Sequence, residues 1–414
     1  MAEAAGSNTV STLNGMFKEV YADKIENLIP EGTKLMQKVP FSSRKKELGS
    51  LYHQPVILGL EHGITYAGPT EDAFQLDAPI SGVIRDATVQ GSQMMLRSRL
   101  GLAAASRAAG SEPKAFENAT KFLVRNMLRS MARRVEVGLF YGQVGIGEVG
   151  ALPGGTVIGI LESEWAPGIW AGAEKMKVDI YDATGTTLRG TAEVTAVNMD
   201  ARTITVDAIP GGTVVTDVIY FKSAGAGANT KEAAGIHKIL TNTGVLFGIN
   251  AAQYTLWKGN ELDIASNPLS FSVVQDAVAR AVEKGLDSDV TVFVNPRSWT
   301  DLLTEQTALR QYDSSYKSSN AESGHQEITF YGQNGKVTIV PSIFVKEGYS
   351  YVLCLEEMLR IGSTDVTFKR PDQGDTFFRE LEEHAGYELR AYSDQALLCF
   401  APGKNTLISG IDND

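Results

Sequence analysis

The chain has 414 residues, 43% hydrophobic and 21% charged, enough to bury a sizeable core in two or three domains. Its net charge of −11 argues against a sequence-reading nucleic-acid binder, whose domains are usually basic, but leaves open incidental contact through a local basic patch. Glycine, at 41 residues, is about a tenth of the chain against a usual ~7%, which predicts many turns and strand connections.

The opening MAEAAGSNTVSTLNG has no basic segment followed by an apolar one, so no secretory signal is expected. No window approaches ~18 uninterrupted apolar residues, so no membrane span is expected either. Met16 to Leu28 places Phe17, Val20, Tyr21, Ile25 and Leu28 at helical spacing, and Pro30 stops the run. Met36 to Phe41 is a second small apolar group, followed by the basic cluster Arg44, Lys45 and Lys46. Residues 51 to 68, LYHQPVILGLEHGITYAG, read as extended chain. An acidic connection with Glu71, Asp72 and Asp77 follows, and Ser81 to Leu102 returns as extended chain. The expected product is a long two-stranded ribbon, which is marginal in water unless it lies on something. Up to Ala109 the chain has no means of burying its own apolar face.

Ser111 is the expected N-cap of a long helix, with Pro113 in its first turn and Gly142 past its end at Tyr141. Lys121, Arg125, Arg129 and Arg133 recur every four residues and form a slanting basic stripe. That stripe is either a solvated face paired with carboxylates of a neighbouring segment, or a surface facing nucleic acid or a scaffold. Residues 142 to 155 read as a glycine-rich domain boundary. Four or five short strands between Lys177 and Phe221 predict a small barrel or sandwich inserted into the chain. A second glycine-rich connection, SAGAGAN at 223 to 229, closes it, and Gly154, Gly155, Gly225 and Gly227 are the expected hinge glycines.

Beyond it the pattern is mixed α and β. Helices are expected over Ser270 to Lys284 and Ser298 to Leu309, with a buried strand at Val290 to Val294. Asp313 to His325 reads as a polar loop. Asn334-Gly335 predicts a hairpin, and strand-like runs recur to Phe400. Cys354 and Cys399 lie in apolar runs and read as buried reduced thiols, in keeping with cytoplasmic assembly.

The chemistry-bearing motifs fail one by one. Gly145, Gly147 and Gly150 spell a dinucleotide-binding pattern, but it follows a helix and runs into Leu152-Pro153-Gly154-Gly155, which cannot open one. The five histidines are scattered with no HxxxH pair and no cysteine nearby in sequence, so no metal site is expected. Glu380, Glu382, Glu383 and His384 read as solvated charge. Neither a nucleophile elbow nor a phosphate-binding loop is present. No catalytic residue and no cofactor are expected.

The order of parts, and several stretches of wording, resemble the major capsid protein of tailed bacteriophages, the Hong Kong 97-like fold, over essentially the whole chain. MFKEVYADKIENLIPEGTKLMQKVPF resembles its N-terminal arm and LYHQPVILGLEHGITYAG the start of its extended loop. DVTVFVNPRSWTDLL and KVTIVPSIFVKEG resemble its axial domain. The resemblance implies an α+β chain divided into an arm (1–48), an extended loop (49–105) and a spine helix of the peripheral domain (106–154). A β-rich insertion (155–227), an axial domain (228–345) and the remaining peripheral strands (346–414) would follow. It implies a structural protein of the virion, assembled in the host bacterial cytoplasm into hexamers and pentamers around double-stranded DNA. Phe17, Val20, Tyr21, Arg44, Lys45, Lys46, Glu71 and Asp72 would then contact other subunits, and the basic stripe would face packaged DNA or a scaffold. Implied partners are further copies of the chain, a portal and, because the arm is short, a separate scaffolding protein, with a decoration protein as an option and no membrane. The same fold would also serve an encapsulin-like compartment holding an enzyme cargo, though the inserted β domain weighs against that.

Overall fold

A computed structural model describes residues 32–42, 52–101, 112–310, 328–368, 379–380 and 386–413. Helix α1 (Lys34–Lys38) buries Leu35, with Val39 buried just beyond it. The expected ribbon exists as β1 (Tyr52–Gly59) and β2 (Val83–Val89), antiparallel, with Tyr52 opposite Val89 and Ile57 opposite Ile84. Side chains alternate across β1: Tyr52, Gln54, Val56 and Leu58 are half-buried, while His53, Pro55 and Ile57 are exposed. The returning chain, however, does not stay in the ribbon as far as Leu102. It turns at Gly91, where a Cβ would strike the Asp394 carboxylate, and leaves as β3 (Ser92–Gly101).

Helix α2 (Glu112–Tyr141) is the long helix anticipated, and it ends at Gly142, whose amide donates to the Gly138 carbonyl at 2.9 Å. Its middle buries Met127 and Met131; its last two turns bury Val135, Glu136, Val137, Leu139, Phe140 and Tyr141, on every side of the helix. The Ser111 cap lies outside the described residues, as do the arm positions Phe17, Val20 and Tyr21, the cluster Arg44, Lys45 and Lys46, and the loop at 313–325.

The insertion is a closed barrel of six strands and begins earlier than expected. Its strands are β4 (Gly147–Gly154), β5 (Val157–Ile160), β6 (Lys177–Tyr181), β7 (Leu188–Asn198), β8 (Thr203–Val206) and β9 (Val218–Phe221), with α3 (Pro167–Trp170) between β5 and β6. They close in the order β4-β5-β8-β7-β6-β9, so no edge is left to pair elsewhere. Val149, Ile158, Val178, Ile180, Val194, Ile204 and Ile219 fill the interior, and Trp165 stacks on Trp170 with ring centroids 6.0 Å apart. The start at 155 therefore needs correcting, because the glycine-rich stretch taken as a boundary is itself barrel strand. Its glycines permit close approach. A Cβ on Gly147 would sit 3.2 Å from the Ile160 side chain, and one on Gly150 would sit 2.8 Å from Leu161 Cα.

After α4 (Ile236–Leu240) and the small hairpin β10 (Val245–Leu246) and β11 (Ile249–Asn250), the chain builds a mixed α/β layer. Its elements are β12 (Asn260–Asn267), α5 (Phe271–Val282), β13 (Val290–Val294), α6 (Pro296–Arg310), β14 (Ile328–Tyr331), β15 (Lys336–Pro341) and β16 (Ser350–Leu353). Ser270 caps α5 by accepting from the Val273 amide at 3.3 Å, and Asn334-Gly335 turns β14 into β15 as expected. The remaining strands are β17 (Met358–Thr367), β18 (Arg379–Glu380), β19 (Gly386–Cys399) and β20 (Thr406–Ile411). They split between two sheets. One sheet runs β12-β20-β16-β13-β15-β14; the other centres on β19, flanked by β17, β18 and β3. The expected division at 345 runs through the first of these sheets, which takes in β16 and β20 as well as β12 to β15. There β20 is parallel to β12 and antiparallel to β16. Cys354 and Cys399 are buried free thiols.

Gly154 and Gly155 are the tight turn between β4 and β5, with φ of 116° and 64°, and open space lies where a Cβ would stand at either. Their role is conformational, within one hairpin, and they are not an interdomain hinge. Replacing both with alanine should lower the stability of the barrel by about 2–4 kcal/mol through left-handed backbone strain alone. Differential scanning calorimetry of the variant checks this, and an unchanged melting profile would contradict it.

Candidate functional site

The exposed end of the ribbon is the feature that departs most from an ordinary surface. Between β1 and β2 the chain runs from 60 to 82 with almost every residue exposed. Leu60 and Leu76 are each 74% exposed and Tyr66 is 89% exposed, with Ile64, Phe74 and Ile80 also out in solvent. The outer face of the ribbon adds the cross-strand pair Ile57 and Ile84. Soluble monomers seldom carry so much contiguous apolar surface. The same stretch holds Glu61, Glu71, Asp72 and Asp77 and no lysine or arginine. Glu71 accepts from the Gly68 amide at 3.1 Å, and the Asp77 amide donates to Thr65 Oγ1 at 2.9 Å.

The base of the ribbon, in contrast, is fixed. Ala87 packs with Ile249, Ala251 and Trp257, joined by Val56 and Leu58. The Thr88 amide donates to the Phe247 carbonyl at 2.8 Å, and Arg85 Nε donates to Tyr254 Oη at 3.2 Å.

A second feature holds the end of the arm. The buried carboxylate of Glu136 accepts from the amides of Leu35 (2.9 Å) and Met36 (2.7 Å), which open α1. At the other end of α1, Arg360 Nε donates to the Val39 carbonyl at 2.9 Å, and its Nη1 donates to Gln395 Oε1 at 2.9 Å and Asp365 Oδ1 at 3.1 Å. Burial pushes the Glu136 carboxyl up to about 7, against the pull of those amides and of Arg360.

A third feature seats the barrel. Lys346 is 1% exposed; its ammonium pairs with Glu164 and donates to the Gly145 carbonyl at 3.1 Å. Tyr349 Oη donates to Glu164 at 2.8 Å, and the Lys346 amide donates to Tyr141 Oη at 2.8 Å. Burial raises the Glu164 carboxyl, but the Lys346 ammonium outweighs it and leaves the group below its ordinary value. His237 approaches Tyr351 Oη at 3.0 Å and is lowered to about 4 by burial and by Lys346, so it stays neutral. Arg202 of the barrel reaches Glu347 at 2.8 Å. At the barrel's exit, Gly225 and Gly227 have φ of 73° and 53°, and a Cβ on Gly227 would lie 2.9 Å from the Gly185 carbonyl oxygen. They form a packed turn where the chain leaves the barrel, at the place where a hinge is expected.

The basic stripe does not hold together as one surface. Arg125 is exposed and Arg129 half-buried on α2, while the Lys121 side chain lies outside the described residues. Arg133 turns inward: Nε donates to the Gly168 carbonyl at 2.9 Å and Nη2 to those of Ile169 and Ala171, satisfying carbonyls of α3. Periodicity could not anticipate this, because α3 reaches α2 only through the fold of the insertion. Glu71 and Asp72 are exposed on the loop between β1 and β2, within the expected acidic connection. Glu136, Lys346 and Arg134 were missed, because nothing near them in sequence sets them apart from other charges beside apolar residues. Among the described residues, no group of three or more His, Cys, Asp or Glu could hold a metal ion, and no helix is long and apolar enough to cross a membrane.

No protein-family profile matches the chain, and no curated protein matches it by sequence. Solved structures do. The asymmetric unit of the Cyanophage A-1(L) capsid matches with a TM-score of 0.59 at 10% identity, over 98% of this chain and 99% of that one. The capsid of a native GTA particle matches with a TM-score of 0.50 at 9% identity, over 98% and 99%. An encapsulin complex from Synechococcus elongatus gives 0.46 at 8% identity, over 98% and 96%, too low to weigh. With ribbon, spine helix and two sheets in this order, the chain has the Hong Kong 97-like capsid fold, carrying an inserted six-stranded barrel.

Two outcomes follow from the buried charges. Removing the Lys346 ammonium in Lys346→Met should cost about 3–5 kcal/mol, because Glu164 is left buried and unpaired. Adding Glu164→Gln should recover part of that loss in chemical denaturation. For Glu136 the folded pKa lies above the ordinary 4.5, so its contribution is complete below pH 4.5 and is lost as pH rises toward 7. His237 runs the other way, losing stability as pH falls from 6.5 through 4. The difference between wild type and Glu136→Gln across pH 4.5 to 7 isolates the first effect. It should shrink as pH rises, and a pH-independent difference would contradict it.

Proposed function

We propose that this chain is a major capsid (head) protein, self-assembling into hexamers and pentamers that close an icosahedral shell around packaged double-stranded DNA. The observation that carries the reading is the anchored ribbon with its exposed apolar loop at 60–82. Burying six such side chains is worth on the order of 10 kcal/mol gross, at ~1.5–3 kcal/mol each when fully transferred. Association itself costs about 4–15 kcal/mol, so one such contact is marginal. Closed rings, in which every copy both gives and receives a loop, make the sum favourable without any strong single interface.

Other parts take roles in the same scheme. The clasp at Glu136 and Arg360 fixes where the arm leaves the body, so that the segment before it can reach a neighbour. Arg125 and Arg129, with Lys121, remain the residues for nonspecific, salt-sensitive contact with DNA or a scaffold, now without Arg133. A separate scaffolding protein, a portal and a decoration protein are the further partners of such a shell, and the virion is its location, reached from the host cytoplasm.

Sedimentation of the purified chain, with electron microscopy of the fastest fraction, tests the reading. Shells, tubes or rings are expected. A variant with Ile64, Tyr66, Phe74 and Leu76 all changed to serine should keep its circular dichroism and melting temperature yet stay unassembled. Assembly at the wild-type concentration would contradict the role of the loop, and shells that carry an enzyme cargo and no DNA would favour a compartment instead.

A further inference from the structure

Between β3, α2 and the exit of the barrel lies an open cavity of about 430 Å³ whose wall includes Arg134. The Arg134 guanidinium stacks on the Phe221 ring, 3.2 Å from the centroid, and its Nη1 is enclosed with no hydrogen-bond partner. A buried donor left unpaired is costly, and it marks a place where an acceptor belongs. Burial pulls the guanidinium down to about 10, and the nearby Glu232 carboxylate offsets only part of that. The cation is short of negative charge within its own chain.

The residues around it say how much is missing. Lys222 and Lys231 also line the cavity and are exposed, while Glu232 is the one carboxylate there. Glu232 is half-buried and already accepts from the Gln143 amide at 3.2 Å. Two positive charges are thus left without a counter-charge. The remaining wall is apolar, with Met95, Met131 and Phe221, and low-dielectric walls strengthen the field of the cations they surround. The opposite side is a strand edge. Ser92 to Leu96 line the cavity consecutively, and among the described residues β3 pairs with β19 alone, so this edge has open backbone N–H groups.

A guanidinium fork matches the oxygens of a carboxylate or a phosphate. A carboxylate would serve Arg134 and leave the lysines uncompensated. A tetrahedral dianion offers oxygens to Arg134, to the lysines and to the strand edge, and it balances the charge. We infer that this cavity binds a phosphate group on Arg134, with Lys222 and Lys231 at its rim. The cavity touches β3, the spine helix and the chain leaving the barrel, so bound phosphate would tie these three together and stabilise the attachment of the insertion. The site lies within one copy of the chain and does not depend on the shell reading.

Isothermal titration calorimetry of the full-length chain at about pH 8 tests the site, because a phosphomonoester with a second pKa of ~6 is then a dianion. Sodium phosphate should bind once per chain and about tenfold more tightly than sodium acetate at matched ionic strength. Arg134→Met should weaken phosphate at least about tenfold. Lys222→Gln with Lys231→Gln, both at exposed positions, should weaken it about threefold and flatten its salt dependence. If Arg134→Met fails to fold, the lysine pair alone decides. A deoxynucleoside monophosphate titrated in parallel separates the two sources of the group. Tighter binding than inorganic phosphate assigns an ester whose organic part rests on the apolar wall, and equal binding assigns the free ion. Absence of saturable binding, affinity no greater than for acetate, or binding that the lysine pair leaves unchanged would each overturn the inference.

Discussion

The spine helix is where the end of the arm, the barrel and the two sheets meet. Phe140 packs edge-on to Phe293 of the mixed sheet, with ring centroids 5.8 Å apart, and against Tyr351 at 5.5 Å. Tyr141 accepts the Lys346 amide and lies under its ammonium, 4.3 Å from ring centroid to Nζ, which ties the helix to the seat of the barrel. Glu136, one turn back, holds the end of the arm. Met127 and Met131, further back, pack on Leu389 and Ala391 of the second sheet. A helix buried on all sides cannot shift without breaking several cores together, so this segment sets the geometry from which the ribbon and the arm extend.

That arrangement divides the molecule into parts that are satisfied and parts that are not. The barrel has no open edge and is fastened to the body by a buried ion pair, by Arg202 on Glu347, and by close backbone approach at Gly168 and Gly348. The extended loop and the open edge of β3 are the reverse: apolar surface and backbone groups without partners among the described residues. A chain that meets its own demands at the centre and leaves them unmet in an exposed loop and along a strand edge is suited to repeating contacts with copies of itself. The placement of the glycines agrees. Gly154 and Gly155 sit within one hairpin of the barrel, and Gly225 and Gly227 in a packed turn at its exit.

The buried charges serve this division differently. The Lys346–Glu164 pair is enclosed by tyrosines and a neutral histidine, and its members satisfy one another, so it contributes specificity of seating more than net stability. Glu136 has its amides and a nearby arginine, yet burial still pushes its proton affinity up. The joint between arm and body therefore weakens as pH rises, whereas the neutral His237 makes the seat of the barrel weaken as pH falls. Arg134 is the exception, a cation stacked on an aromatic ring with one enclosed donor unspent.

Local pattern determined much of this protein by itself. The helix at 112–141, the helix capped by Ser270, the strand at 290–294, the hairpin at Asn334-Gly335 and the two-stranded ribbon all rest on periodicity and turn chemistry that neighbouring residues supply. The apolar, acidic character of the exposed loop was equally plain, since nothing near it in sequence could cover it. Only tertiary structure decided which strands became neighbours. β3 left the ribbon for β19, β20 paired in parallel with β12 across more than a hundred residues, and a glycine-rich stretch became the first barrel strand because Ile160, Trp170 and Leu161 crowd against it. The individual charges followed the same division, because an arginine on a helix reads alike in sequence whether it faces solvent, as Arg125 does, or caps a distant helix, as Arg133 does. Pairing between strands far apart, and the environment of a single side chain, depend on how loops close and cores fill, which no local periodicity encodes.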